Sequence, residues 1–321
     1  MAPVCSRLAA LFKGLPKFNP VTCSRSLDPG VPNDHVQPNV IWDETMKRVF
    51  AILAFLCALG VGEYFLVSRF AIRHEAVALF DASRQRPIAV EMAVRRDYET
   101  KANLGLWKLP VAIISNGNTV KATEYSFLAN VLAARGYLVV SIQQDLPSDP
   151  PLMTHVGQQY VGRRDVYIRC EANILFVLSE LKRRQENVDY DHITLVGHSN
   201  GGDVSMYVAH QHPELVSKVI TLDNLRVPFV LSDGLKILSF RSKDPHFVTD
   251  PGVLPTPEEA KARGIDIIHT GAQHTEMSDR GPDAVKAKIQ ATLDRFLRDS
   301  ASSALAPADT KSPMIMNPGD Y

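Results

Sequence analysis

The sequence has no excess of charge of either sign: its 321 residues carry 35 Lys and Arg against 35 Asp and Glu, a formal net charge of zero. That excludes a broad electrostatic grip on nucleic acid or on an anionic membrane surface, and leaves a small-molecule partner to expect. Cysteine is scarce. Three of the four, Cys5, Cys23 and Cys57, lie in the N-terminal segment, so there is no disulfide framework. Cys170 stands inside the helix-forming stretch Tyr167–Phe176 and reads as a buried structural thiol rather than a reactive one. Internal repeats are absent, and His210 and His212 flank a helix C-terminus, where an imidazole helps the dipole and their spacing alone makes no metal site. The expectation is a protein without metal or cofactor.

An unbroken apolar run of about 20 residues, the length a spanning helix needs, is missing as well. The longest run is Val49–Gly62, preceded by Met46-Lys47-Arg48 and interrupted by Glu63. A basic start, an apolar run of this length and the small residues Ala58 and Gly60 match a secretory signal cleaved after Gly60, with Met46 as the true start. A second reading continues the run through Tyr64–Val67 as an uncleaved, tilted anchor over 49–68. A third takes the first 27 residues, which lack acidic groups and carry Arg7, Lys13, Lys17 and Arg25, as an organelle transit peptide. The expected location is exported or membrane-anchored. A buried helix in a cytoplasmic protein is the alternative.

What is present suits a full hydrophobic core, with 45% hydrophobic and 22% charged residues. Three segments are expected: an N-terminal preamble over 1–75, a folded domain over 76–298 and a disordered tail over 299–321 rich in Ala, Ser, Pro and Asp. Within the domain, short β-branched runs alternate with longer helical ones, the pattern of an α/β fold with a mainly parallel sheet flanked by helices. Strands are predicted at Pro87–Val94, Val111–Ser115, Tyr137–Ile142, His192–Val196, Lys218–Leu222, Lys236–Phe240 and Ile265–Ile268. Helices are predicted at Ala122–Arg135, Val161–Gln185, Asn200–His210, Pro257–Arg263 and Pro282–Arg298. Only about a dozen residues separate Leu222 from Lys236, too few for a helical cap, so a fairly open pocket is expected.

The chemistry centres on Gly197-His198-Ser199-Asn200-Gly201-Gly202, which follows a strand and opens a helix. A serine between glycines at that junction sits on a sharp, strained turn. The glycines are required because a Cβ there would strike the neighbouring strand and helix. Ser199 is the candidate nucleophile and the N–H of Asn200 a candidate oxyanion donor. A serine hydroxyl needs a base to take its proton and a carboxylate to orient that base. His274, in the loop after the last strand, suits a side chain that reaches back over the sheet better than His269 at the strand end. For the acid, Asp244 follows the strand after next from the nucleophile and Asp223 ends the intervening strand; the residues leave both open. The turn Ser115-Asn116-Gly117-Asn118 follows another strand, and the N–H of Gly117 or of Asn118 is the second oxyanion candidate.

These segments resemble the dienelactone-hydrolase-like and platelet-activating-factor-acetylhydrolase-like branch of the α/β-hydrolases, over roughly residues 78 to 298. Leu79–Val90 is similar to the opening strand of secreted members, and Gly197–Gly202 matches fully. Ser115-Asn116-Gly117 stands where the branch has Ser-His-Gly. Leu222–Pro228 looks like the acetylhydrolase segment whose aspartate is the triad acid, with Leu225 in place of the usual aromatic, and Gly271–Asp279 is similar to its histidine loop. The resemblance implies the α/β-hydrolase fold without a large cap. It speaks for Asp223 and strengthens His274, while the commoner position in that fold speaks for Asp244.

The expected activity is serine hydrolysis of a short-chain or lipid-like carboxylic ester through an acyl-enzyme. A catalytically silent binding or scaffold protein on the same fold is the alternative. The stretch Asp145–Val156 with Phe229, Val230 and Phe247 is the expected apolar lining of the pocket.

Overall fold

The computed structural model describes residues 44–68, 70–153 and 162–305. The chain divides into two units, Met1–Cys57 and Ala58–Tyr321. Helix α1 (Glu44–Ser68) contains the apolar run, and its described side chains, among them Val49, Phe50, Ile52, Phe55 and Leu59, are almost all exposed. Among the described residues no helix is long and apolar enough to cross a membrane. The transit-peptide reading of residues 1–27 lies outside the described residues.

The second unit holds one eight-stranded sheet: β1 (Ile72–Asp81), β2 (Arg86–Arg95), β3 (Leu109–Ser115), β4 (Leu138–Ile142), β5 (Val188–His198), β6 (Val216–Leu222), β7 (Lys236–Arg241) and β8 (Asp266–His269). The spatial order is β1-β2-β4-β3-β5-β6-β7-β8. The β1–β2 and β2–β4 pairs are antiparallel and every other pair is parallel. Because side chains alternate across a strand, each central strand feeds two cores at once. Ile113, Leu195 and Val219 join one cluster with Ile174, Val177, Val204 and Val208; their neighbours Ile114, Val196 and Ile220 join the other with Leu128, Leu132, Ile289 and Leu293. Helices α4 (Arg164–Lys182) and α5 (Asn200–Gln211) thus cover one face, and α3 (Ser126–Ala134) and α7 (Asp283–Leu305) cover the other. This double burial is why the central strands read as continuous apolar runs.

The remaining helices are α2 (Arg96–Asn103) and α6 (Pro257–Arg263). Helix α6 begins at a capping box between Thr256 and Glu259, carries Pro257 in its first turn and ends at Gly264 in the left-handed conformation. Its sequence boundaries hold to the residue because every signal is local. Helix α2 went unpredicted because its residues are polar and only Asp97 and Ala102 are buried, so no apolar period marks it. Strand β1 begins at Ile72, ahead of the expected domain start at 76, and α7 runs to Leu305, past the expected tail start at 299. Residues 306–321 of that tail lie outside the described residues. No helix lies between β6 and β7, as expected for a fold without a large cap.

Candidate active site

The parallel strands all end on one edge of the sheet, the edge where open α/β sheets place their ligands. Ser199 follows β5, Asp223 follows β6, Ser242 and Asp244 follow β7, and His274 follows β8 in a short 3₁₀ turn, His274–Glu276.

Ser199 has φ 53° and ψ −120°, a conformation that costs a non-glycine residue energy and persists only where the surroundings enforce it. They do. A Cβ on Gly197 would lie 2.0 Å from the Gly201 carbonyl oxygen, and one on Gly201 would lie 2.1 Å from that of Ser115. Strand, turn and helix therefore pack backbone against backbone. The Ser199 N–H donates to Leu222 O at 2.8 Å, and its carbonyl accepts the N–H groups of Gly202 and Asp203. The result places the residue at the N-terminus of α5, where free amides favour negative charge.

The acid alternatives separate cleanly. His274 Nδ1 donates to Asp223 Oδ2 at 2.7 Å, with both side chains buried. The same oxygen accepts from Ser242 Oγ at 2.6 Å, while Asp223 Oδ1 accepts from Ser242 N at 3.1 Å and lies 3.3 Å from the Arg241 guanidinium. Burial works to raise this carboxyl, but the hydrogen bonds and the Arg241 charge outweigh it and hold Asp223 below the usual carboxylate range. Asp223 also has a positive φ, 56°, as does Thr119 after β3, at 64°, so three non-glycine residues at this edge are held in the left-handed region. Asp244 meets the histidine only at the backbone: its Oδ2 accepts the His274 N–H at 3.3 Å, and its Oδ1 accepts from the backbone and ring of His246. His269 is exposed on β8 and does not line the cavity.

The His274 ring has two aromatic neighbours. Phe247 stacks on it, with centroids 3.8 Å apart and planes 10° from parallel, and His198 lies 4.9 Å away with its plane tilted by 39°. Ser199, His198 and His274 line a common cavity of about 290 Å³ with Asn118, Leu152, Leu225 and Phe247. Arg163, Arg226 and Arg280 also reach it, and among the described residues lining it none is a carboxylate. Of the expected apolar lining, Phe247 and Leu152 are present. Phe229 and Val230 are not, because both are buried in the core on the α5 side of the sheet. Residues 154–156 of that expected lining lie outside the described residues.

The turn after β3 corrects one expectation. The Gly117 N–H donates to Tyr125 Oη at 2.9 Å and is thereby taken up inside the protein. Asn116 braces the same turn, its Nδ2 donating to the carbonyls of Gly117 and Val120 and its Oδ1 accepting the Gln144 N–H. The N–H groups of Asn118 and Asn200 make no hydrogen bond among the described residues. Sequence reasoning had no signal for Tyr125 or Ser242, whose roles depend on which loops meet.

Elsewhere, Cys170 is fully buried and its thiol is pushed up to about 12 by burial, the state of an inert thiol. His210 and His212 bind Pro228 O and Glu171 respectively, and among the described residues no cluster is arranged to hold a metal ion.

A family model described as the alpha/beta hydrolase fold matches residues 161–242, which contain the Ser199 turn and Asp223. This strand order and this turn, with that match, decide the architecture. The chain has the α/β-hydrolase fold. Among solved structures of this fold, it is similar to a dienelactone hydrolase-like promiscuous phosphotriesterase from metagenomic libraries, at 13% identity, covering 71% of this chain and 98% of that one with a TM-score of 0.51. An esterase structure from Rhizomucor miehei is similar at 13% identity, 73% and 85% coverage and a TM-score of 0.51. A bacterial heroin esterase is similar at 12% identity, 77% and 90% coverage and a TM-score of 0.50. At these identities the likeness is one of α/β-hydrolase architecture. No curated protein matches the sequence.

Proposed function

We propose that the protein is a serine hydrolase of carboxylic esters, working through an acyl-enzyme. The observation that carries this reading is the 2.7 Å bond from His274 to the buried, ion-paired Asp223, in a ring that lines the same cavity as the strained Ser199. Asp223 holds the Nδ1–H tautomer, leaving the Nε2 lone pair to take the Ser199 proton. The Ser199 oxygen attacks the ester carbonyl, and the oxyanion accepts hydrogen bonds from the Asn118 and Asn200 N–H groups. The imidazolium, stabilised by Asp223 without transferring its proton there, protonates the departing alkoxide. Water, deprotonated by His274, then cleaves the acyl-enzyme by the same route and Ser199 recovers its proton.

A cavity near 290 Å³ stands at the lower end of ligand pockets, roughly 300–1,000 Å³, and favours short acyl groups over long lipid chains. That two structurally similar proteins are esterases supports ester chemistry.

Two measurements test the reading together: turnover of p-nitrophenyl acetate and butyrate, and labelling by a fluorophosphonate probe. Wild type should turn over both esters and take up the probe at Ser199, and Ser199→Ala should do neither. Equal labelling of Ser199→Ala would refute the nucleophile. An unlabelled, inactive wild type would favour a silent binding protein on this fold.

A further inference from the structure

His198 stands at the variable position immediately before Ser199, and the reaction just described leaves it without a task. Its ring is 3% exposed and both nitrogens are engaged. Nε2 lies 3.0 Å from the His274 carbonyl oxygen, and Nδ1 lies 3.0 Å from Tyr125 Oη. A carbonyl only accepts, so Nε2 must carry the proton. In the neutral ring Nδ1 is then an acceptor, which obliges the Tyr125 hydroxyl to donate to it and leaves the phenol oxygen to receive the Gly117 N–H at 2.9 Å. The bonds form a chain running in one direction, from Gly117 N–H through Tyr125 and His198 to the His274 carbonyl. Tyr125 is 1% exposed, so the bonds are shielded from bulk solvent. The packing is as tight as the bonding, since a Cβ on Gly117 would lie 2.9 Å from His198 Nδ1 and 3.2 Å from Tyr125 Oη.

The two ends of this chain are two separate parts of the proposed chemistry. One end is the turn that presents the Asn118 N–H; the other is the backbone of the residue proposed as general base. We infer that His198 is a positioning residue that couples the 116–118 turn to the His274 segment, so that the oxyanion donor and the base are held in one register above Ser199. This rests on the proposed hydrolase reading. Burial and the nearby His274 push the His198 imidazole down to about 3, which keeps the chain intact in its neutral form at working pH.

The test uses three variants of the whole protein with p-nitrophenyl acetate. His198→Leu removes both the donor toward the His274 carbonyl and the acceptor for Tyr125, Tyr125→Phe removes the middle hydroxyl alone, and the third combines them. Each single change should lower kcat by about ten- to a hundredfold, less than outright removal of an oxyanion donor, with KM changed by no more than about twofold. Because both break one chain, the double variant should fall little below the worse single. Single variants within about twofold of wild-type kcat, or losses that multiply fully in the double, would overturn the coupling.

Histidine nitrogen NMR of the wild type at neutral pH supplies a readout independent of folding and of activity. His198 should show a protonated Nε2 and an acceptor Nδ1; an Nδ1–H tautomer or an imidazolium overturns the bridge. A wild type no more active than Ser199→Ala would instead defeat the hydrolase reading, with the tautomer still deciding whether the bridge exists.

Discussion

Two segments converge on the cavity, the turn at 197–202 and the stretch 270–281 that carries His274, and they are held by different physics. In the first, geometry is a matter of backbone volume. Gly197, Gly201 and Ser115 approach so closely that no side chain fits between them, and Ser199 has nowhere else to go. In the second, side chains do the holding. Asp223 and Asp244 grip the ring and the backbone of His274, His198 grips its carbonyl, and Asp279 caps the first two amides of α3 while Arg280 pairs with Glu124. A serine set by excluded volume is stiff but intolerant of substitution. A histidine set by hydrogen bonds is graded, so on the proposed reading each bond removed should cost a measurable part of the rate.

The sharpest way to break the comparison is Gly201→Ala. Its Cβ would meet the Ser115 carbonyl at 2.1 Å, so the turn must open, and a loss of about 4 kcal/mol or more in urea unfolding is expected. Near-wild-type stability would mean that the turn is not set by volume. On the other side, Asp223→Asn should leave a folded protein whose kcat on p-nitrophenyl acetate falls about a thousand- to ten-thousandfold, because the imidazole loses its orienting anion. Asp244→Asn should fall by no more than about tenfold, since it touches His274 only through the backbone amide. Equal losses would erase the distinction between the two carboxylates.

A third expectation concerns acid. The His198 ring goes from an ordinary 6.5 to about 3 on folding, so the unfolded chain binds a proton there that the folded one does not. The stability this represents is present above pH 6.5 and lost as pH falls toward 3. Between pH 7 and pH 4.5 the loss should be about 2–3 kcal/mol in urea midpoints, and His198→Asn should flatten that slope. Asp223, held below the carboxylate range, adds its own loss only under more acidic conditions. The smallest effect belongs to Phe247→Ala. Its stack on His274 is partly exposed, and its loss should lower kcat by no more than about tenfold, the equivalent of an aromatic contact of roughly 0.5–1.5 kcal/mol.

Much of the architecture was legible because its signals are short-ranged. The β-branched runs at Val111–Ser115 and Lys218–Leu222 lie buried on both faces, and the Gly-x-Ser-x-Gly turn must follow a strand and open a helix to exist at all. Neither β1 nor α2 was among the predicted elements; only Leu79–Asp81 of β1 fell inside the segment that resembles an opening strand. The first alternates on an exposed edge and the second is polar, so neither announces a core. The choice between Asp223 and Asp244 was illegible from spacing, since each ends a neighbouring parallel strand. The resemblance to the acetylhydrolase segment pointed to Asp223, and the packing of β6 against β7 puts that carboxylate on the ring and the other on the backbone.

Local sequence was enough to determine that this chain makes a doubly covered, mainly parallel sheet and throws Ser199 out at one edge, because excluded volume and residue periodicity act over a few positions. Which amide is left free in the turn after β3 was decided only in three dimensions. Gly117 and Asn118 are equivalent donors as letters. Tyr125, brought over the turn by α3, consumes one N–H and leaves the other, and through His198 ties that choice to the loop of His274.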